Sequence, residues 1–177
     1  VYLLRLRNIE GCKERMKNFD EILHKSEELF NRAFALQMEG KFEEAIENYK
    51  SSIELYPTAK AHTFLGWAYS YLRKYDEAIE ECKNAINLDP KYGNPYNDIG
   101  AYQIKLGNYD EALIWLELAL EIKDYQNPEF VHLNIGKIYE IKGMWFDALY
   151  EYKKALEIAP EFETTKKLID KIQGFLN

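Results

Sequence analysis

Cysteine is scarce in this chain: 177 residues hold two, Cys12 and Cys82, far apart and outside any paired motif. A disulfide framework is therefore not expected, and the usage fits a reducing compartment, which points to the cytoplasm. Long apolar runs are absent, so no membrane insertion is expected. The opening stretch from Val1 to Ile9 is too short and too charged for a signal core. The chain starts on Val1 rather than Met, which leaves open a fragment, a processed product, or the targeting arm of a larger enzyme. Glycines are isolated and form no phosphate-cradling loop. Histidine is limited to His24, His62 and His132. No Ser/His/Asp or Cys/His grouping can be proposed, so we expect no enzyme, no cofactor and no metal. Basic residues are outnumbered, 23 Lys and Arg against 30 Asp and Glu, for a net charge of −7. Nucleic acid is not expected as a partner, because phosphates need a basic face. Residues 1–25 lean the other way, with six basic against four acidic side chains.

What the chain does have is repetition. Ala45, Ala78, Ala112 and Ala148 follow one another at 33, 34 and 36 residues. Each sits in one phrase: Lys41-Phe-Glu-Glu-Ala-Ile46, Lys74-Tyr-Asp-Glu-Ala-Ile79, Asn108-Tyr-Asp-Glu-Ala-Leu113 and Met144-Trp-Phe-Asp-Ala-Leu149. A fixed period of this length predicts a stacked helical array. Four repeats are expected, over 26–58, 59–92, 93–126 and 129–162. In each, a first helix should end near Gly40, Arg73, Gly107 or Gly143, and a second should stop before Pro57, Pro90 or Pro160, with Asp124 in that place in the third. Small residues mark the close approaches: Ala33, Gly66, Gly100 and Gly136 on the first helices, Ser52, Ala85, Ala119 and Ala155 on the second. The acidic pairs that open the second helices are explained by the helix dipole and need no catalytic role. Residues 1–25 read as a further helix packing on repeat one, with Leu3, Leu6, Ile9, Cys12, Met16 and Phe19 on its apolar side; a strand over 1–7 is the alternative. Residues 163–177 read as an amphipathic capping helix, with Leu168, Ile169, Ile172 and Leu176 on one stripe.

Leu65-Gly66-x-x-Tyr69 with Ala78, Ala85 and Pro90 resembles the tetratricopeptide repeat signature, as do Ile135-Gly136-x-x-Tyr139, Ala148, Ala155 and Pro160. The resemblance covers residues 26–162. Arg32 and Gln103 depart from it, standing where large apolar residues are usual. It implies an all-α, right-handed solenoid, a protein-interaction scaffold whose first helices line a concave groove for a peptide segment of a partner. The groove residues expected on that basis are Phe30, Asn31, Phe34, Thr63, Trp67, Ser70, Tyr71, Asn94, Asn97, Phe130, Asn134 and Lys137. Asparagine amides can both donate to and accept from a peptide backbone, and aromatics supply contact area at small entropic cost. Some family members grip acidic chaperone tails through lysine, arginine and asparagine. Phe30, Asn94 and Asp98 stand where those cations would be, so acidic tails are not expected here.

A second anomaly lies on the outer face. Ile114, Trp115 and Leu118 replace polar residues of the other repeats, and Tyr150 follows in repeat four. Either they form a contact surface, including one for homo-oligomers, or the longer connection Lys123–Pro128 folds back and covers them. His62 and His132 fall at equivalent places with one whole repeat between them, too far for one ion, and are expected to pack half-buried.

Overall fold

The computed structural model describes residues 2–176, and side chains from Glu14 onward. Its helices are α1 (Tyr2–Met38), α2 (Phe42–Leu55), α3 (Ala59–Tyr71), α4 (Tyr75–Leu88), α5 (Asn94–Leu106), α6 (Tyr109–Glu121), α7 (Pro128–Ile141), α8 (Trp145–Ile158) and α9 (Glu163–Leu176). Among the described residues there is no strand. Each helix packs on the next in the chain, and α1, α3, α5 and α7 also touch in succession along one wall. The result is an all-α solenoid.

The segment read as a separate N-terminal helix is continuous with the first helix of repeat one. Nothing between Tyr2 and Met38 breaks it: the stretch lacks proline, and its single mid-stretch glycine, Gly11, is tolerated within a helix. The side chains of Leu3, Leu6, Ile9 and Cys12 lie outside the described residues. Of the remainder of that stripe, Met16 is exposed and Phe19 sits edge-on to Tyr56, with centroids 5.9 Å apart.

The hairpin turns follow the sequence signals. Gly40, Gly107 and Gly143 close their helices at positive φ, where the absence of a Cβ removes the steric penalty. Arg73 takes the same left-handed conformation at φ 59°, at a cost a glycine would not incur. Arg73→Gly should therefore stabilise the protein by about 0.5–1 kcal/mol in urea unfolding, the gain being limited by the greater freedom of glycine in the unfolded chain.

Small and large residues alternate in the interior. Ala45, Ala78, Ala112 and Ala148 are completely buried. A Cβ on Gly100 would lie 2.5 Å from Leu116 Cγ, and one on Gly136 would overlap the Tyr152 ring. Helices α1 and α2 close on a serine pair. The Ser26 hydroxyl donates to the Ser52 carbonyl at 2.9 Å, and the Ser52 hydroxyl to the Ser26 carbonyl at 2.7 Å. The four apolar clusters each join a helical pair to the helix that follows, so the interior runs through the array. Helix α9 closes the end with Ile169 and Ile172 buried. Its Lys171 reaches Glu140 on α7 at 2.5 Å. Burial raises the Glu140 carboxyl, but Lys171 and the Tyr152 hydroxyl outweigh it and hold the acid below its ordinary value.

Candidate functional site

The inner wall is built by the odd-numbered helices, and one of its recesses lies between α3, α5 and α7. Trp67, Asn94, Asn97, Asp98 and Phe130 surround a cavity of about 350 Å³ there, closed by Tyr125 and Asn127 from the α6–α7 connection. Helix α5 starts at Asn94 with Pro95 in its first turn, a placement that proline favours. This start sets Asn94, Asn97 and Asp98 on successive positions facing one side.

The cavity floor is a polar ladder. Trp67 Nε1 donates to Asp98 Oδ2 at 2.5 Å, and the Asn97 amide also bonds the Asp98 carboxylate. Asn134 Nδ2 donates to Asn97 Oδ1 at 3.0 Å, and Lys137 Nζ to Asn134 Oδ1 at 3.4 Å. Above it, Asn127 Nδ2 donates to Asn94 Oδ1 at 3.5 Å, and Asn94 Nδ2 to the Tyr92 hydroxyl at 3.0 Å. Burial pushes the Asp98 carboxyl up to about 7, although its bonds from Trp67 and Asn97 oppose the rise. Among the described residues no cation pairs with it. Burial, helped by repulsion from Lys105, moves Lys137 below its ordinary value.

Of the groove residues expected from sequence, the structure gathers Trp67, Asn94, Asn97 and Phe130 around this cavity, with Asn134 and Lys137 at the end of its ladder. Phe30 and Asn31 line a separate cavity of about 330 Å³ toward α1, where Lys60 Nζ lies 4.7 Å from the Phe30 ring centre. Exposed Phe34 sits edge-on to Phe64, at 5.7 Å. Three expectations change. Thr63 is completely buried and its hydroxyl donates to the Ala59 carbonyl one turn back, so it offers nothing to a guest. Ser70 donates to its own helix, at the Trp67 carbonyl. Tyr71 is taken up by stacking on Phe42, at the start of α2, with ring centres 4.6 Å apart, and does not line the cavity. Both hydroxyls belong to the local backbone because threonine and serine readily bond the carbonyl of the preceding turn.

Asp98 and Tyr125 belong to the site but were not among the residues expected there. Asp98 had a signal: it stands where the other repeats carry Asn31, Phe64 and Asn134, and an acid on an inner helix has no packing reason to be there. Tyr125 had a weaker one in Gly93, whose missing Cβ leaves the space that the Tyr125 ring occupies.

On the outer face, Ile114 (58% exposed) and Tyr150 (60%) are uncovered, and Leu118 is partly so. The long connection does not fold back over them, because its Tyr125 turns inward to the cavity. Trp115 is half-buried against Tyr96, ring centres 6.1 Å apart. That pair takes the place of His62–Glu81 (2.6 Å) and His132–Glu151 (2.7 Å) in the neighbouring repeats. Trp115 is thereby explained by packing within its repeat. Burial raises the Glu151 carboxyl, but His132 and Lys154 more than offset this and hold it below its ordinary value. Among the described residues no cluster of histidine, cysteine and acids could hold a metal, and no helix is long and apolar enough to cross a membrane.

Tandem helical pairs with a shared interior and a polar inner wall define a helical-repeat interaction scaffold. Models of the tetratricopeptide repeat match residues 26–58, 59–92 and 94–125, more than half of the chain. The chain belongs to the tetratricopeptide repeat family. Its solved structural neighbours include MamA, at 26% identity and TM-score 0.67 over 87% of this chain and 96% of that one. PilW, described as a widely conserved type IV pilus biogenesis factor, aligns at 20% identity and TM-score 0.77 over 85% and 69%. A thermophilic TPR protein of Thermus thermophilus aligns at 22% identity and TM-score 0.73 over 96% and 94%. No curated protein matches the sequence significantly.

Proposed function

We propose that the protein holds an extended segment of a partner protein along the inner wall, centred on the cavity between α3, α5 and α7. The observation that carries this reading is the meeting of aromatic rings with amide groups at one recess. Trp67, Tyr125 and Phe130 supply apolar area, while Asn94 and Asn97 retain hydrogen-bonding capacity beyond the ladder. Small apolar pockets with a few convergent polar groups are the usual form of a recognition site. The ladder adds preorganisation: its bonds fix the amides before a guest arrives, which reduces the ordering cost of binding. Replacing Trp67 and Asn97 together by alanine should abolish capture of partners from lysate, with helicity by circular dichroism unchanged. Unchanged capture by the folded double variant would reject the groove.

A second reading is self-association through the outer face. Ile114 and Tyr150 are exposed apolar side chains, and their helices expose further apolar groups in Leu118 on α6 and Phe146 on α8. Sedimentation velocity over a wide concentration range should then show a dimer that Ile114→Glu disperses. A wild-type protein that stays monomeric throughout removes this reading.

A further inference from the structure

The groove reading leaves unsaid which guest side chain the recess selects, and Asp98 supplies an answer. Resting on that reading, we infer that the cavity between α3, α5 and α7 takes one basic side chain, lysine or arginine, from the bound segment, with Asp98 as its counter-charge.

Four observations converge. First, the Asp98 carboxylate lines the cavity and, among the described residues, forms no ion pair; its partners are the Trp67 indole and the Asn97 amide. Second, the groups ringing it are neutral: the Tyr92, Tyr102 and Tyr125 hydroxyls and the Cys82 thiol, all pushed upward by burial first and by Asp98 itself among the lesser causes. Third, the rings of Trp67, Tyr125 and Phe130 share the cavity, and aromatic rings attract cations. Fourth, the volume of about 350 Å³ leaves ample room for one long side chain. The charged groups on the facing helix nearest the cavity are Glu129, in the first turn of α7 and close enough to Tyr125 to help raise its hydroxyl, and Lys137, which is engaged by Asn134 at the far end of the ladder.

The alternatives gain less. An acidic guest would meet Asp98 with like charge. An apolar guest would cover the carboxylate and strip its water without pairing it, a cost that no new bond offsets. A cation restores the charge balance, so the carboxylate that is reluctant to ionise in the free protein becomes stable when the guest is bound. Binding at neutral pH should therefore release protons.

The full chain, labelled with 15N, would be titrated with N-acetyl-lysine amide, N-acetyl-arginine amide and neutral N-acetyl-norleucine amide, following the Trp67 indole N–H signal. A saturable shift is expected with the lysine or arginine amide, the tighter arm identifying the preferred cation, and binding about tenfold weaker or absent with norleucine. Asp98→Asn should lose the response while the remaining spectrum keeps its dispersion. An equal response to norleucine, no saturable shift with either cation, or an Asp98→Asn protein that responds like wild type would overturn the inference. A random-peptide display selection on the same chain separates the two levels. Enriched peptides lacking a basic residue, whose binding falls with Trp67→Ala, would overturn the cation and keep the groove; no enriched peptide would overturn both.

Discussion

Asp98→Asn is expected to remove most of the fall in stability that the wild-type protein shows between about pH 4 and pH 7. The Asp98 carboxyl is raised from 3.8 to about 7 by burial in the free protein. In that interval the folded state keeps a proton that the unfolded chain has released, so stability declines as pH rises and levels off above 7. Each tenfold change in proton affinity is about 1.4 kcal/mol, so the difference between variant and wild type should grow to at most about 4 kcal/mol at pH 8. Water reaching the carboxylate through the cavity will reduce that figure. The neighbours do not confuse the measurement. Tyr92, Tyr102, Tyr125 and Cys82 are all shifted upward, away from this interval. Glu140 and Glu151 are held low, so their contributions disappear only as pH falls below the unfolded value of 4.5, and they do so equally in both proteins. Urea unfolding at several pH values provides the test. Parallel curves for the two proteins would show that Asp98 is ionised as easily folded as unfolded.

Gly136→Ala is expected to cost about 1–3 kcal/mol, the usual range for overpacking. The new methyl would overlap the Tyr152 ring, which is completely buried and cannot swing out freely because its hydroxyl donates to Glu140 at 2.8 Å. Gly66→Ala should cost less. There the methyl would meet the Ala78 carbonyl at 3.1 Å and the Cys82 sulfur at 3.4 Å, contacts that a few tenths of an ångström relieve. The ranking matters more than either value. Thermal unfolding in which Gly66→Ala is the more damaging variant would show that the ring yields and the backbone does not.

These two residues also show what a sequence can disclose about this protein. Gly136 was legible because repetition places it beside Gly66, Gly100 and Ala33, and a recurrent small residue on a helix has few purposes except close approach. The turns were legible for the same reason, including the left-handed Arg73, whose place in the repeat outweighs its residue type. The site was legible only in part. Trp67, Asn94, Asn97 and Phe130 stand out as residues that packing leaves unexplained, and they do meet. Thr63 misled because a polar residue at helical spacing can satisfy itself one turn back and vanish into the core. Trp115 misled because its partner, Tyr96, changes with it: an ionic pair in the adjacent repeats becomes an aromatic one here, and either residue alone reads as an anomaly. Tyr125 depends on the course of an irregular connection, which periodicity does not describe.

Helices that lean mainly on those beside them in the chain give the array the mechanics of a row of dominoes. Opening starts at a terminus, where a helix has one supporting neighbour, and reaches the interior pairs last. The recess at Asp98 spans α3, α5 and α7, so it draws on the innermost and most slowly opening members. A guest seated there would tie three members of the inner wall together, and its grip should be felt as slower opening of those interior pairs, while the extremities that it never touches fray as before.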